Sequence, residues 1–281
     1  MRTKTIKLKL LNDFVIKKII GTKGQEKALE GFINAVLADN GKEPIKDPVI
    51  LNDVALTKEN INGKLGILDI LAKSMDDKYL INIEIQLQET DDMINRSGFY
   101  HSKLRSGVEA LKAGESYRQL PKVVAINLLD YEDKRLHPEE YHTRIINVDA
   151  KHHELVFDFS EHHFLELPKF RRFKDKDMDN PLHRWLMYLD PNCSEARKEE
   201  LVNMDPSIRV AEQAAQKIMA TPEELELYRL REKYERDQAS SAIYLEEKAI
   251  KKVARSFKED GISYEIIAKN TGLSIEEIEK L

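Results

Sequence analysis

The sequence predicts an α/β fold, a mixed sheet flanked by helices, followed by an α-helical C-terminal extension. Three observations carry this expectation. Residues Tyr79 to Leu87 alternate, with Ile81, Ile83, Ile85 and Leu87 on one face and Asn82, Glu84, Gln86 and Gln88 on the other, the period of a strand. Pro121 precedes VVAINLLDY, an apolar run with no polar face, which suits a central strand. After Pro181 the chain turns rich in Glu, Lys, Arg, Ala and Leu, the composition of successive helices.

The elements follow in order. From Gln25, residues Ala28, Leu29, Phe32, Ile33, Val36 and Leu37 recur at helical spacing until Asn40-Gly41, a C-cap signal. Pro44 and Pro48 mark a loop, and Val49 to Leu56 reads as an extended edge. Leu65 to Ala72 and Tyr79 to Leu87, broken at Asp76-Asp77, read as a β-hairpin. Thr90 to Gly114 reads as a helix with an imperfect apolar face of Met93, Phe99, Tyr100, Leu104 and Val108. That helix permits a parallel crossover into the strand after Pro121, which a hairpin loop could not make. Arg144 to Val148 and Leu155 to Phe159 are further short strands. A domain boundary is expected near Asp190-Pro191, giving residues 1–190, a helical extension at 191–259, and a compact end at 260–281.

In that last segment Ala268, Gly272 and Ile278 fall where a helix-turn-helix wants a small residue, a turn glycine and an apolar anchor, and Ser274 with Glu277 forms a capping box. As a DNA reader it is poor. Its second helix offers Glu276, Glu277 and Glu279, which phosphates repel.

Composition narrows the function classes. The 281 residues are 34% charged with a net charge of −5, so no global field draws in nucleic acid or an anionic membrane. No run approaches the roughly 18 apolar residues of a membrane span and no signal peptide is evident, so a cytoplasmic location is expected. Cys193 is the single cysteine and has no partner for a disulfide or a zinc site. Local basic stretches, the first 23 residues and Lys169 to Lys176 (KFRRFKDK), are candidate phosphate contacts. His101, His152, His153, His162 and His163 read as surface residues, adjacent pairs in a strand pointing to opposite faces.

The chemistry gathers at the hairpin. Asp69 interrupts an apolar run, where a carboxylate is costly unless paired, hydrogen-bonded or metal-bound, and it stands fifteen residues before Glu84. Paired across the turn, the two carboxylates could share a hard cation, with Gln86 on the same strand face as Glu84. Oxygen ligands of this kind suit Mg²⁺ or Mn²⁺, and the geometry fits metal-assisted hydrolysis of a phosphodiester.

Asp69 followed by Glu84-Ile85-Gln86, within helix-strand-strand-strand-helix-strand order, resembles the PD-(D/E)XK nuclease core in the variant with glutamine in place of the motif's lysine. GKLGILDILAKS, INIEIQLQ, the YHSKL of Tyr100 to Leu104 and the terminal TGLS are similar to the Rpn family of recombination-promoting nucleases, PD-(D/E)XK family transposases. The resemblance implies a restriction-endonuclease-like core and a Mg²⁺-dependent DNA endonuclease, with Asp69 and Glu84 as metal ligands and Gln86 in the lysine's position. Glu26 matches an acidic residue that some members carry on the first helix, near the metal. An amide supplies no positive charge, so a cation is expected from elsewhere: Lys103 first, Arg96 second. The alternative is a catalytically silent member that binds DNA or oligomerises through its helical C-terminus. The apolar stripe from Tyr228 to Ile243 suits a homo-oligomer.

Overall fold

The computed structural model describes residues 8–51, 70–89, 92–106 and 116–281. Contacts divide the chain into two compact units, Met1–Leu225 and Glu226–Leu281.

In the first unit the described residues form a six-stranded mixed sheet. Its strands are β1 (Val49–Ile50), β2 (Ile70–Lys73), β3 (Tyr79–Gln86), β4 (Lys122–Leu129), β5 (His142–Val148) and β6 (Leu155–Glu166), in the order β1-β2-β3-β4-β6-β5. Strands β2 and β3 make the expected hairpin, Ile70 opposite Ile83, around a turn that holds Asp77 at φ 55°. Strand β4 lies between β3 and β6, parallel to both, the central place its apolar run calls for. Strand β6 runs seven residues past the expected Phe159, through a polar stretch whose side chains are buried from Ser160 on, except His162.

Helix α3 (Met93–Arg105) makes the crossover from β3 to β4. Its sequence conceals its inner face: Met93, Ser97, Tyr100 and His101 are buried, two apolar and two polar, while Phe99 points to solvent. Consequently the polar face of β3 is covered, and Asn82 and Glu84 are each 1% exposed.

The opposite face of the sheet carries helices α1 (Asp13–Ile20) and α2 (Glu26–Ala38). A Cβ on Gly21, between them, would come 2.7 Å from Ile70 Cγ1, and Ile70 shares the face of its partner Ile83. After β6 come α4 (Leu167–Arg172), α5 (Pro181–Leu189), α6 (Glu195–Met204) and α7 (Pro206–Ala220). Helix α7 meets α2 so closely that a Cβ on Gly31 would stand 2.1 Å from Ser207 Oγ. Ile208, Ala211 and Ala215 are buried along this helix. The compact unit therefore continues past Asp190, where the composition change suggested a boundary, because α5 to α7 complete the helical layer.

The second unit holds most of α8 (Pro222–Glu259), then α9 (Tyr264–Thr271) and α10 (Ile275–Glu279). Ala254, Ile267 and Ile278 form its core, with Phe257, Ile262, Tyr264, Ala268, Leu273 and Leu281 packed around them. Gly272 takes the left-handed turn at φ 74°, and Ser274 and Glu277 exchange both capping-box bonds. Glu276, Glu277 and Glu279 are exposed. Among the described residues no helix is long and apolar enough to cross a membrane.

Candidate active site

Alternation along β3 puts Asn82, Glu84 and Gln86 under α3, and the first turn of that helix supplies a cation to them. Arg96 Nη2 donates to Glu84 Oε2 at 3.1 Å, and Nη1 donates to Gln86 Oε1 at 3.4 Å. Asn82 Nδ2 reaches Glu84 Oε1 at 3.4 Å. Glu84's side chain is 2% exposed and that of Arg96 32%, so the carboxylate is buried and its counter-ion bridges to solvent. A buried carboxylate is tolerable on these terms, facing a guanidinium and hydrogen-bonded on both oxygens. Gln86 Nε2 donates to the Gln88 carbonyl at 3.0 Å, and the Gln86 carbonyl accepts the Asp130 N–H at 3.0 Å. These residues stand at the carboxyl ends of parallel strands β3 and β4, where open α/β sheets place their ligands.

Beside Glu84 in register is Asn127, fully buried. Its Nδ2 donates to the His163 carbonyl at 3.0 Å and to Ser97 Oγ at 3.1 Å, and Ser97 lies 2.9 Å from His162 Nδ1. The Asn127 amide donates to the hydroxyl, and the serine proton is then available to Nδ1 when His162 carries its own on Nε2. Burial, with smaller repulsion from His101 and His163, lowers the His162 pKa to about 4, in keeping with a neutral ring. Ser97 thereby ties α3 to β4 and β6 one residue from Arg96.

Asp69 lies outside the described residues; β2 begins at the next residue, Ile70, opposite the neighbour of Glu84. Glu26 opens α2, on the far face of the sheet, and its Oε2 accepts the Gly24 N–H at 2.8 Å. Lys103 is exposed in the last turn of α3. Seven residues place it on nearly the azimuth of Arg96 but roughly 10 Å further along the axis, so Arg96 is the one that meets the carboxylate. The Lys169 to Lys176 stretch is engaged internally: Lys169 pairs with buried Glu166 at 2.5 Å, Arg171 with Asp130 and Arg172 with Glu132, each at 2.6 Å, and Lys176 donates to the Arg171 and Phe173 carbonyls.

The histidines differ from expectation in burial. His152 and His153 are exposed, while His101 is 7% and His163 0% exposed. His162 and His163 do face opposite ways. On the α2 side, Asp39 Oδ2 stands 2.6 Å from His142 Nδ1 and His142 Nε2 stands 2.9 Å from His163 Nδ1. His163 Nε2 is 3.2 Å from Glu161 Oε1, a close contact not aligned as a hydrogen bond. Burial raises the pKa of Glu161, but His163, Lys122 and Arg144 outweigh it and hold the carboxyl well below the usual range. Sequence separation hid this relay; only the alternation of Glu161 with His163 hinted that they share a face.

Among the described residues no three His, Cys, Asp or Glu side chains gather to hold a metal. The described donors at the site, the Glu84 carboxylate and the Gln86 amide, are oxygens suited to a hard divalent cation.

The sequence profile of the PD-(D/E)XK nuclease family transposase family matches residues 10–244. The chain belongs to this family. The match extends from the residues before α1 into α8, and it covers the whole sheet with its helices on both faces. No curated protein and no solved structure matches the chain. A PD-(D/E)XK nuclease family member is thus folded around β3, with Glu84 and Gln86 beneath Arg96.

Proposed function

We propose that the protein is a metal-dependent DNA endonuclease that hydrolyses phosphodiester bonds, of the mobile-element type that promotes recombination. One observation carries the reading: Glu84 and Gln86 share one face at the carboxyl end of β3 and are both held by Arg96. Family membership supports it.

In this reading Asp69 and Glu84 would hold Mg²⁺ or Mn²⁺, with Glu26 near it. Bound there, the ion would lower the pKa of a water and neutralise charge developing on the phosphate. Gln86 orients a water or a phosphate oxygen through its amide. Arg96 supplies the positive charge that an amide in the lysine's position lacks, and Tyr100, whose ring centroid lies 5.5 Å from Arg96 Cζ, keeps the guanidinium in place. Lys103 is too far along α3 for that task and fits a phosphate contact. The protein would act in the cytoplasm as a homo-oligomer, using the exposed Ile243, Tyr244 and Leu245 of α8.

The test is incubation of supercoiled plasmid with the purified chain in Mg²⁺, Mn²⁺ or EDTA. Cation-dependent nicking that disappears in Asp69→Ala supports the reading; DNA binding without cutting under any divalent ion contradicts it. One observation favours the silent, DNA-binding alternative, namely that Arg96 already occupies Glu84 Oε2. Mn²⁺ titration followed by electron paramagnetic resonance separates the two, since the silent member would bind no ion that Glu84→Ala removes.

A further inference from the structure

The sheet ends on β5, and among the described residues no strand pairs with its outer side. The ladder shows which backbone groups that side offers. Strand β5 lies antiparallel to β6 with His142 opposite Leu165, and the Glu166 N–H donates to the Tyr141 carbonyl at 2.8 Å, so Tyr141, Thr143 and Ile145 direct their backbone groups to β6. The N–H and C=O of His142, Arg144 and Ile146 therefore point away from the sheet.

Edges of this kind are commonly blunted by a proline, a lysine or an outward charge. Strand β5, HTRIINV, holds neither proline nor lysine, and its two basic side chains are turned onto other residues of the fold. Arg144 Nε donates to Glu161 Oε1 at 2.5 Å, and His142 Nδ1 stands 2.6 Å from Asp39 Oδ2. Pairing with β6 is regular as far as Ile146 and bulges beyond it. Ile145 is 40% and Val148 41% exposed on this edge strand.

We propose that β5 is a docking edge for a second copy of this chain, paired antiparallel about a two-fold axis at Ile145. The register follows from the outward groups and from charge. Arg144 and Ile146 of one copy exchange backbone bonds with Ile146 and Arg144 of the other, and the two Ile145 side chains meet on the axis as a non-hydrogen-bonded pair. A pairing centred on Arg144 would also use the outward groups, but it sets one arginine directly opposite the other. The Ile145 register instead brings the exposed Glu139 and Glu140, before one β5, alongside the exposed Lys151, after the other. Each β3 stays three strands from the seam, so neither Glu84 takes part in it. The pairing is independent of the nuclease reading and of the exposed apolar residues of α8.

Sedimentation velocity of the full chain from about 1 to about 100 µM reads the self-association, and oxidative crosslinking reads the register. Ile145→Lys sets two ammonium groups together on the axis and raises the dissociation constant at least about tenfold, while Ile243→Lys on α8 leaves it within about twofold. In a Cys193→Ser background, Ile145→Cys forms a disulfide-linked dimer, because a non-hydrogen-bonded pair brings the two Cα atoms to about 4.5 Å. Ile146→Cys in the same background does not, its two copies lying more than about 7 Å apart. A wild type that stays monomeric throughout, an Ile145→Cys protein that keeps its fold by circular dichroism and does not crosslink, or crosslinking equally fast at position 146 would overturn the β5 seam. A dimer lost in Ile243→Lys and unchanged in Ile145→Lys would also overturn it and assign self-association to α8. Plasmid nicking, present or absent, bears on none of these outcomes.

Discussion

Arg96 Nη2 lies 3.1 Å from Glu84 Oε2, and this contact joins the helix after the β2–β3 hairpin to the buried carboxylate of the hairpin's second strand. The same guanidinium reaches Gln86, so one side chain organises both polar groups of the site.

Removing Arg96 takes a hydrogen-bonded guanidinium away from that buried carboxylate. Arg96→Ala is expected to destabilise the fold by about 3 kcal/mol, the low end for a broken buried pair because the guanidinium is partly solvated. Adding Glu84→Gln to Arg96→Ala recovers part of the loss. Urea unfolding of the four proteins of this double-mutant cycle reads the coupling.

The bridge through Ser97 should set the position of α3. Ser97→Ala strands an amide donor on Asn127 and a ring nitrogen on His162, and is expected to cost about 1–3 kcal/mol. His162→Asn keeps an acceptor near the place of Nδ1 and should be milder than His162→Phe, which keeps the ring and loses the acceptor. Thermal denaturation ranks the three.

His162 also makes stability depend on pH. Its pKa is lowered to about 4 in the fold from an ordinary 6.5, chiefly by burial. The unfolded chain therefore takes up this proton first. The contribution is intact above pH 6.5, is lost as the pH falls towards 4, and amounts to roughly 3 kcal/mol at full shift. Unfolding free energies across that window should fall with pH in the wild type and less steeply in His162→Asn.

Gly31 tests the contact of α2 with α7. Helix propensity alone would make Gly31→Ala stabilising by about 1 kcal/mol. The added Cβ, 2.1 Å from Ser207 Oγ, should instead give a net loss of about 1–3 kcal/mol, relieved by Ser207→Gly in the same chain. Calorimetric melting of the single and double variants decides between the two signs.

The strands were legible because alternation and apolar runs follow from the pleat: β3, β4 and the hairpin turn stand where Ile81 to Ile85, Val123 to Leu129 and Asp76-Asp77 indicate. Helix α3 was legible as a helix and not in its facing, since Ser97 and His101 are buried for their hydrogen bonds and ring contacts, not for hydrophobicity. Lys103 and, second, Arg96 were candidate cations for their nearness in sequence to the hairpin, and only the packing of α3 on β3 decides which turn meets Glu84. The compact unit runs past Asp190 because Gly31 admits Ser207, a contact between residues too far apart to be read as a pattern. The relay from Asp39 through His142 and His163 was illegible for the same reason.

In the proposed function the buried Glu84 carboxylate does the metal-dependent work of the site. Glu84→Gln keeps the shape of the side chain and removes its charge, so nicking of supercoiled plasmid by this variant in Mg²⁺ and Mn²⁺ is the most direct measurement. A fall of at least about a hundredfold against wild type, with the fold retained by circular dichroism, is the predicted result. Cutting by Glu84→Gln at the wild-type rate would contradict it.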